Sequence, residues 1–593
     1  MLDPIIITSD SILPDINRHF RVSAGPGAGK THWLTKHIRH VAATSLTLGP
    51  TQRIACISYT NVAAAEIVER LGKLAWRVDA STIHSFLYRN LVHPYLWVLH
   101  DGTGAHLVNF SAVDGHQEHQ PIRQFVETWL KSVSTKGAYL AHELLNKNGP
   151  ETLDYLREVR WKYDPVSSAW KVVLPNRKPP GMLPVRKLAK YKPHYWAAGI
   201  IDHDDVLFFA HRLLDEKPTL RAFLAARFPY VFIDEFQDTN PVQTKFIEWL
   251  AEGGSTVGVV GDPEQAIFGF QGASRDAFMA FSLPGHVDYW IADNRRSTNQ
   301  IVTLLNRVRR DNVQQKATRC VDGRAVEVLV GPSTKFVEHV ESEKHMVVLA
   351  RTNTEVAALR ARGPALAPDP WTTFRWVDSA SGRALFWERL LPACELARSK
   401  LFGESVNTLA RAICHRDGSV RKPFNYVGSL TSAQRDGVAV TVIERLLQNL
   451  DGILDTTVAD AYSVVADAAA RALPGLTMQG YATGKPKVFA NGTSVKALIS
   501  AVVIVDETRR YRTIHKAKSA EFDAVLVCLK DEGCLDHILA PERAHDEEGQ
   551  EEQRITYVAL SRARDRLVIS VPALSAEREA AITGLSIMVT RLP

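Results

Sequence analysis

Small residues and glycines alternate ahead of a lysine and a threonine in the segment Ala24, Gly25, Pro26, Gly27, Ala28, Gly29, Lys30, Thr31. Glycines at that spacing let the backbone curl until its amide N–H groups converge on phosphate oxygens at the start of a helix, whose dipole favours anions. Lys30 then supplies a point charge for the β- and γ-phosphates and Thr31 a hydroxyl for Mg²⁺. Ala24 stands where the general pattern has glycine. A second motif, Asp-Glu-Phe-Gln-Asp-Thr from Asp234, follows the apolar run Tyr230 to Ile233. That run has the character of a buried strand delivering two carboxylates to the carboxyl end of a sheet, where phosphate loops also sit. In such a pairing Asp234 holds the metal through water, and Glu235 orients and deprotonates the attacking water. The two motifs together point to hydrolysis of a nucleoside triphosphate, with ATP and Mg²⁺ the expected ligands.

The surrounding pattern is suited to positioning them. A helix is expected over 32–43, a strand over 53–58 and a helix over 62–74, the alternation that builds a parallel sheet. It resumes with a strand at 228–233, a helix at 241–251 and a strand at 256–260 that runs into Gly-Asp-Pro-Glu-Gln from Gly261. A second core is expected to begin near Tyr289, with buried strands at 347–350, 524–529 and 567–571. Two stretches break the alternation. Residues 91–199 are rich in tryptophan, tyrosine and proline. There Arg160, Lys162, Lys171, Arg177, Lys178, Arg186, Lys187, Lys190 and Lys192 interleave with Trp161, Tyr163, Trp170, Tyr191, Tyr195 and Trp196, against the single acid Asp164. Basic residues among flat rings suit a phosphate backbone with stackable bases, and a solvated basic face over buried aromatics fits the same pattern. Residues 362–508 are alanine- and leucine-rich and read as helical.

Composition sets the outer bounds. At 593 residues with 45% apolar content the chain is long enough for several folding units of an ordinary globular protein. No apolar run reaches the roughly 18 residues a membrane helix needs, and Met-Leu-Asp-Pro at the start lacks the features of a secretion signal, so a cytoplasmic location and no membrane partner are expected. Cys56, Cys320, Cys394, Cys414, Cys528 and Cys534 show no paired metal spacing. A net charge of +6 permits a nucleic-acid partner without requiring one.

Ten ordered segments carry a resemblance to a known family: AGPGAGKT at Ala24, ISYTNVAAAEI at Ile57, STIHSF at Ser81, IDHDDVL at Ile201, VFIDEFQDTNPVQ at Val231, GDPEQAIFGFQGA at Gly261, NRRST at Asn294, VLARTN at Val348, TIHKAKSAEF at Thr513 and EEQRITYVALSRARDRL at Glu551. In this order they resemble the UvrD/Rep/PcrA family of superfamily 1 DNA helicases. The resemblance implies an α/β fold of two tandem RecA-like parallel-sheet domains, each with a largely helical insertion. The first core is expected at 1–90 and 200–280 with its insertion at 91–199, and the second at 281–361 and 509–593 with its insertion at 362–508. It also implies that Gln265 senses the γ-phosphate, that Arg296 and Arg562 reach it from the second core, and that Glu521 lies near the ribose or phosphates. Tyr59, Phe268 and Phe270 match aromatics that stack on unpaired bases. Thr60, Asn61, Thr82, His84, Asn353, Thr513 and His515 match polar positions along the phosphodiester track.

Four positions depart from the family. Residues 1–23 contain no glutamine to contact adenine and are broken by Pro4 and Pro14, and Arg295 replaces the usual stacking tyrosine. Gln271 stands where arginine is usual and Ser519 where glycine is usual. The resemblance implies an ATP-driven translocase moving 3′ to 5′ on single-stranded DNA and unwinding duplex, in DNA repair or anti-phage defence. The alternative is a DNA-stimulated NTPase acting as sensor or regulatory subunit of a nuclease complex. Compact family members, the Gabija helicase subunit among them, work beside a separate nuclease, which makes such a subunit a candidate partner.

Overall fold

The computed structural model describes residues 4–269, 272–311, 313–332, 335–336, 338–339, 345–361, 370–378, 382–398, 402–415, 418–448, 450–501, 510–543 and 547–592. The strands expected at 53–58, 228–233 and 256–260 form as short, mostly apolar runs, joined by strands at 5–7, 20–24 and 78–82 that were not expected. In the first sheet these are β1 (Ile5–Ile7), β2 (Phe20–Ala24), β3 (Ile54–Ser58), β4 (Val78–Thr82), β5 (Tyr230–Ile233), β6 (Thr256–Gly261) and β7 (Val287–Ile291). They pair in the order β1-β7-β2-β6-β5-β3-β4, and every pairing is parallel. All four residues of β5 and all five of β3 are buried, as a parallel sheet covered on both faces demands. Because the strands run the same way, the ends of β2, β5 and β6 open at one edge of the sheet, where both chemical motifs lie. Helices α1 (Lys30–Thr44), α2 (Asn61–Leu71) and α3 (Pro241–Glu252) connect them.

The first sheet extends beyond the expected boundary at 280. The segment around Tyr289, expected to open the second core, is β7, lying between β1 and β2 with Val287 opposite Phe20 and Ile291 opposite Ala24. A short, mostly apolar run does not reveal which sheet will take it; here Arg21 of β2 meets it. Its guanidinium is buried, donates to the carbonyls of Phe278, Met279 and Phe281, and pairs with Asp288 of β7 at 2.8 Å.

The second sheet contains β8 (Glu327–Val330), β9 (Met346–Ala350), β10 (Tyr511–Thr513), β11 (Phe522–Cys528), β12 (Ala563–Val571) and β13 (Met588–Arg591). Its order is β10-β9-β11-β12-β8-β13, again parallel. Helices α4 (Asn299–Val308) and α5 (Glu547–Leu560) pack on it. β8, β10 and β13 were not among the expected strands. Both sheets fall in one compact unit made of residues 1–90, 210–366 and 506–593.

Residues 91–209 and 367–505 form the other unit. Its first segment is less helical than expected: Arg160–Asp164 and Ala169–Val173 make an antiparallel hairpin beside helices around a Trp129, Tyr155, Tyr191 and Tyr195 core. Its second segment is helical, with Arg383–Arg398, Phe402–Ile413, Ser432–Leu447 and Val458–Ala472 enclosing Trp387, Leu390, Val438 and Val465.

The fit of β2 against β6 turns on Gly258. A methyl group there would sit 2.0 Å from Phe20 Cζ, and that ring cannot retreat, being boxed in by Trp33, His37 and Phe232. Gly258→Ala is therefore expected to cost about 1–3 kcal/mol through overpacking. Urea denaturation measures this, and adding Phe20→Leu should return part of the loss because the two changes share one contact.

Candidate active site

The loop between β2 and α1 has the backbone its glycines suggest. Gly27 and Gly29 lie in the left-handed region, at φ 68° and 81°, where a side chain carries a steric penalty. Gly27 is also crowded, since a Cβ there would stand 2.7 Å from Arg296 Cβ and 2.8 Å from Asn294 Oδ1. Three groups hold the loop from outside: Asn294 Nδ2 and Gln315 Nε2 each donate to the Pro26 carbonyl at 3.1 Å, and Arg295 N donates to the Gly27 carbonyl at 2.8 Å. α1 starts at Lys30, so its first N–H groups lack helical partners, and no acid occupies its first turn. Lys30 Nζ lies 3.4 Å from the Ala24 carbonyl. Ser9 Oγ, buried against Gly29, has no hydrogen-bond partner. This cradle, with its left-handed glycines and unpaired donors, fits a triphosphate. Thr31 and Asp234 are the side chains chemically suited to hold Mg²⁺ on it.

Asp234 leaves the end of β5, 4% exposed, with its N–H donating to the Ile57 carbonyl at 2.8 Å. Glu235 follows in the left-handed region at φ 54°, a conformation that costs a non-glycine residue energy and is common at functional sites. Burial and then the neighbouring Glu235 push the Asp234 carboxyl up to about 7. For Glu235 burial also opposes charge, but Lys30, Lys518, a hydrogen bond from Gln237 Nε2 at 2.6 Å and Arg562 outweigh it and hold its carboxyl below the usual range. The two neighbouring carboxyls are thus shifted in opposite directions. Asp238, pushed up to about 7 mainly by burial, takes an ion pair of 2.5 Å from Lys518, whose own pKa burial pulls down.

Gln265 sits in the short turn after β6 and connects to the second sheet. Its Nε2 donates to Asp262 at 2.8 Å, and its Oε1 accepts from Arg562 Nη2 at 2.8 Å. Arg562 is 3% exposed, also donates to the carbonyls of Lys518, Ala520 and Val558, and is brought down to about 9 by burial and by nearby Arg296. Arg296 pairs with Glu521 at 2.7 Å and donates to the Ser561 carbonyl at 3.0 Å. Behind them Arg309 and Asp262, both fully buried, pair at 3.3 Å, with Tyr557 accepting from Arg309 at 2.7 Å. Arg295 is half-exposed and held by Asp10 at 2.8 Å and Asp293 at 3.4 Å. Asp10 also faces His32 and Lys36.

The expected DNA-facing residues divide into two groups. Tyr59 stacks on Phe268 at 4.7 Å; Phe268 in turn meets His515 at 5.8 Å, lies under Lys518 Nζ at 4.8 Å, and is buried in the hydrophobic cluster of the second sheet. Thr60 and Thr82 cap α2 and the helix Ile83–Leu87, accepting from Ala63 N and Ser85 N. Thr513 is buried, and His515 lies within hydrogen-bond distance of the Ile267 carbonyl at 3.2 Å, its ring held neutral chiefly by burial. Asn61 and Asn353 are exposed and His84 half-buried; Asn353 lies 3.5 Å from Lys516 Nζ. Phe270 and Gln271 lie outside the described residues.

The basic and aromatic run in the first insertion is partly core. Tyr191, Tyr195 and Trp196 are buried, and Lys192, 1% exposed, pairs with Asp202 and with Asp205 at 3.3 Å. Arg177 pairs with Asp154 and Glu158, and Lys171 with Asp164. Lys178, Arg186, Lys187 and Lys190 remain exposed. The residues that reasoning from sequence passed over at this site are Ser9, Asp10, Asp238, Asp262, Asn294, Gln315 and Lys518. Asp238, Asp262, Asn294 and Lys518 stand inside quoted motifs, so motif membership was a signal; Gln315 carries none.

Comparison with known proteins follows the same residues. Residues 8–284 match the UvrD/REP helicase N-terminal domain, and 506–573 match the UvrD-like helicase C-terminal domain. The chain is 25% identical to the putative ATP-dependent DNA helicase YjcD of Bacillus subtilis, an alignment covering 93% of this chain and 76% of that protein. It is 22% identical to the ATP-dependent DNA helicase PcrA of Staphylococcus aureus, over 93% of this chain and 80% of the relative.

The raised Asp234 carboxyl gives a stability signature. The native state binds an extra proton between the ordinary carboxylate range and about 7, so stability conferred below that window is lost as pH rises through it. Asp234→Asn, which cannot titrate, should lose less stability than the unaltered chain between pH 4 and pH 8 in nucleotide-free protein. Urea midpoints across that range test this; parallel curves would place the titration elsewhere.

Proposed function

The chain belongs to the UvrD/Rep/PcrA-like superfamily 1 DNA helicases, and from that premise we propose that it hydrolyses ATP at the β2–α1 loop and uses the cycle to move 3′ to 5′ along single-stranded DNA, unwinding duplex. The observation that carries this reading is the Arg562–Gln265 hydrogen bond of 2.8 Å. It joins a side chain of the second sheet to the turn that follows the carboxylate strand's neighbour. A group sensing phosphate at Gln265 is thereby tied to the element that would move.

The roles follow from the geometry. Mg²⁺, when bound, would neutralise charge on the phosphates beside Thr31 and Asp234. Lys30 holds phosphate oxygens, and Glu235, kept ionised by the cations around it, takes a proton from the attacking water. Arg296, packed against Gly27, and Arg562 offer positive charge to a transition state that needs it. Gln265 exchanges its Arg562 partner as the phosphate leaves. Lys518 joins Asp238 to the Gln265 carbonyl at 2.5 Å and also lies over Phe268, so a shift at the nucleotide reaches the aromatic residues assigned to DNA.

The alternative is a DNA-stimulated NTPase that regulates a partner without unwinding. It draws on the Tyr59–Phe268 stack, which occupies the faces that bases would use. A strand-displacement assay beside a DNA-stimulated ATPase assay separates the two: hydrolysis without displacement selects the regulator. Co-purification from native cells tests for a nuclease partner and, through it, for a role in anti-phage defence against one in repair.

Glu235→Gln should retain ATP binding and lose at least about a hundredfold in turnover, the low end of general-base effects. Wild-type turnover in the folded variant removes Glu235 from that role.

Base selection should be weak. Arg295, which replaces the family's stacking tyrosine, is tied to Asp10 and Asp293, and a site that leaves the polar edge of the base unbonded discriminates poorly. GTP is expected to support DNA-stimulated hydrolysis within about tenfold of ATP. Steady-state kinetics with the four triphosphates measures this, and an ATP preference beyond a hundredfold overturns it.

A further inference from the structure

In the unit formed by residues 91–209 and 367–505 lies a cavity of about 550 Å³, walled by both segments of that unit. Its volume is that of a small-ligand pocket, a class spanning roughly 300–1,000 Å³. Four arginines line it, Arg375, Arg389, Arg411 and Arg421, with the acids Asp114, Asp378 and Glu388. Each acid is already committed: Glu388 to Arg375, Asp114 to Arg421, and Asp378 to Arg383 at 2.6 Å. Among the described residues neither Arg389 nor the exposed Arg411 has a carboxylate at ion-pair distance, and Asp114 and Glu388 act on Arg389 only from farther off.

Arg389 shows the consequence. Its Nη1 is buried without a hydrogen-bond partner, and its Nη2 has only Gln117 Oε1 at 3.5 Å. Arg421 Nε and Gln120 Oε1, also on the cavity, are buried and unpaired as well. Burial, then repulsion from Arg421 and Arg411, brings Arg389 down to about 10. A buried guanidinium pressed against others of its kind is costly unless something anionic joins it. The lining also includes the apolar side chains of Ile122, Ile200 and Leu385.

We propose that this cavity is a binding site for a phosphate monoester of mononucleotide size, its phosphate held by Arg389 and Arg411, its base against the apolar side chains of the lining and its polar edge on Gln120. Guanidinium groups suit phosphate through paired N–H donors. The site lies in the unit that does not contain the β2–α1 loop, so its ligand acts as a regulator rather than as the hydrolysed nucleotide.

The test is equilibrium dialysis of the full-length chain with radiolabelled dTMP. One dTMP should bind per chain, displaced by inorganic phosphate and not by thymidine. Arg389→Gln and Arg411→Gln should each weaken binding at least tenfold. With no ligand present, Arg389→Gln should melt no lower than the unaltered chain, because it removes an unpaired buried charge. Unchanged dTMP affinity in both variants, thymidine binding as well as dTMP, or a fall in melting temperature of several degrees for Arg389→Gln with dTMP binding intact would overturn the assignment. So would a 5′-phosphorylated oligonucleotide binding through Arg389 while dTMP does not, since that would make the source a DNA end.

Discussion

Three acids, Asp234, Glu235 and Asp238, follow one strand within five residues, the first and last buried and Glu235 half-buried. Three negative charges cannot share a low-dielectric site unless cations are brought to them or protons are kept. The protein does both. Lys30 comes from the loop beside them, while Lys518 and Arg562 come from the part of the chain that builds the second sheet. Asp234 and Asp238 are raised toward neutrality and Glu235 is left ionised. The same electrostatic requirement that keeps the Glu235 carboxyl below its usual range brings residues of the second sheet's segment against the first.

That attraction is routed through a few residues. Lys518 bonds both Asp238 and the Gln265 carbonyl, Arg562 bonds the Gln265 side chain, and Arg309 pairs with Asp262. All converge on the turn after β6. Buried ion pairs of this kind add little net stability, because desolvation offsets attraction, but breaking one leaves an uncompensated charge. Their value here is positional: a change at the phosphates that alters one partner must be felt by the others.

Much of the fold and site was legible because its signals are local. The runs at 54–58, 230–233 and 256–261 are short and apolar and became buried strands, and the glycines at 27 and 29 adopt the left-handed backbone the loop requires. The failures are of one kind. The run at 287–291 pairs with β1 and β2 of the first sheet, where Asp288 meets Arg21 across 267 positions, a contact that local sequence does not reveal. Lys192 and Tyr191 fitted either a nucleic-acid face or a basic face over buried aromatics, and both are core, Asp202 and Asp205 pairing with the lysine from another element. Composition records that charges and rings are present, not whether a partner will bury them.

The sequence by itself determined the phosphate loop, the paired carboxylates and the parallel cores that carry them, because each is encoded in contiguous residues whose backbone preferences and periodicity act locally. Only the tertiary structure decided which charges meet. Lys518 reaches Asp238 across 280 positions and Arg562 reaches Gln265 across 297, and the free arginines of the 550 Å³ cavity come into view only once their neighbours' acids are seen to be taken. Such pairings are fixed by burial, which no stretch of sequence contains: a charge's cost depends on everything packed around it.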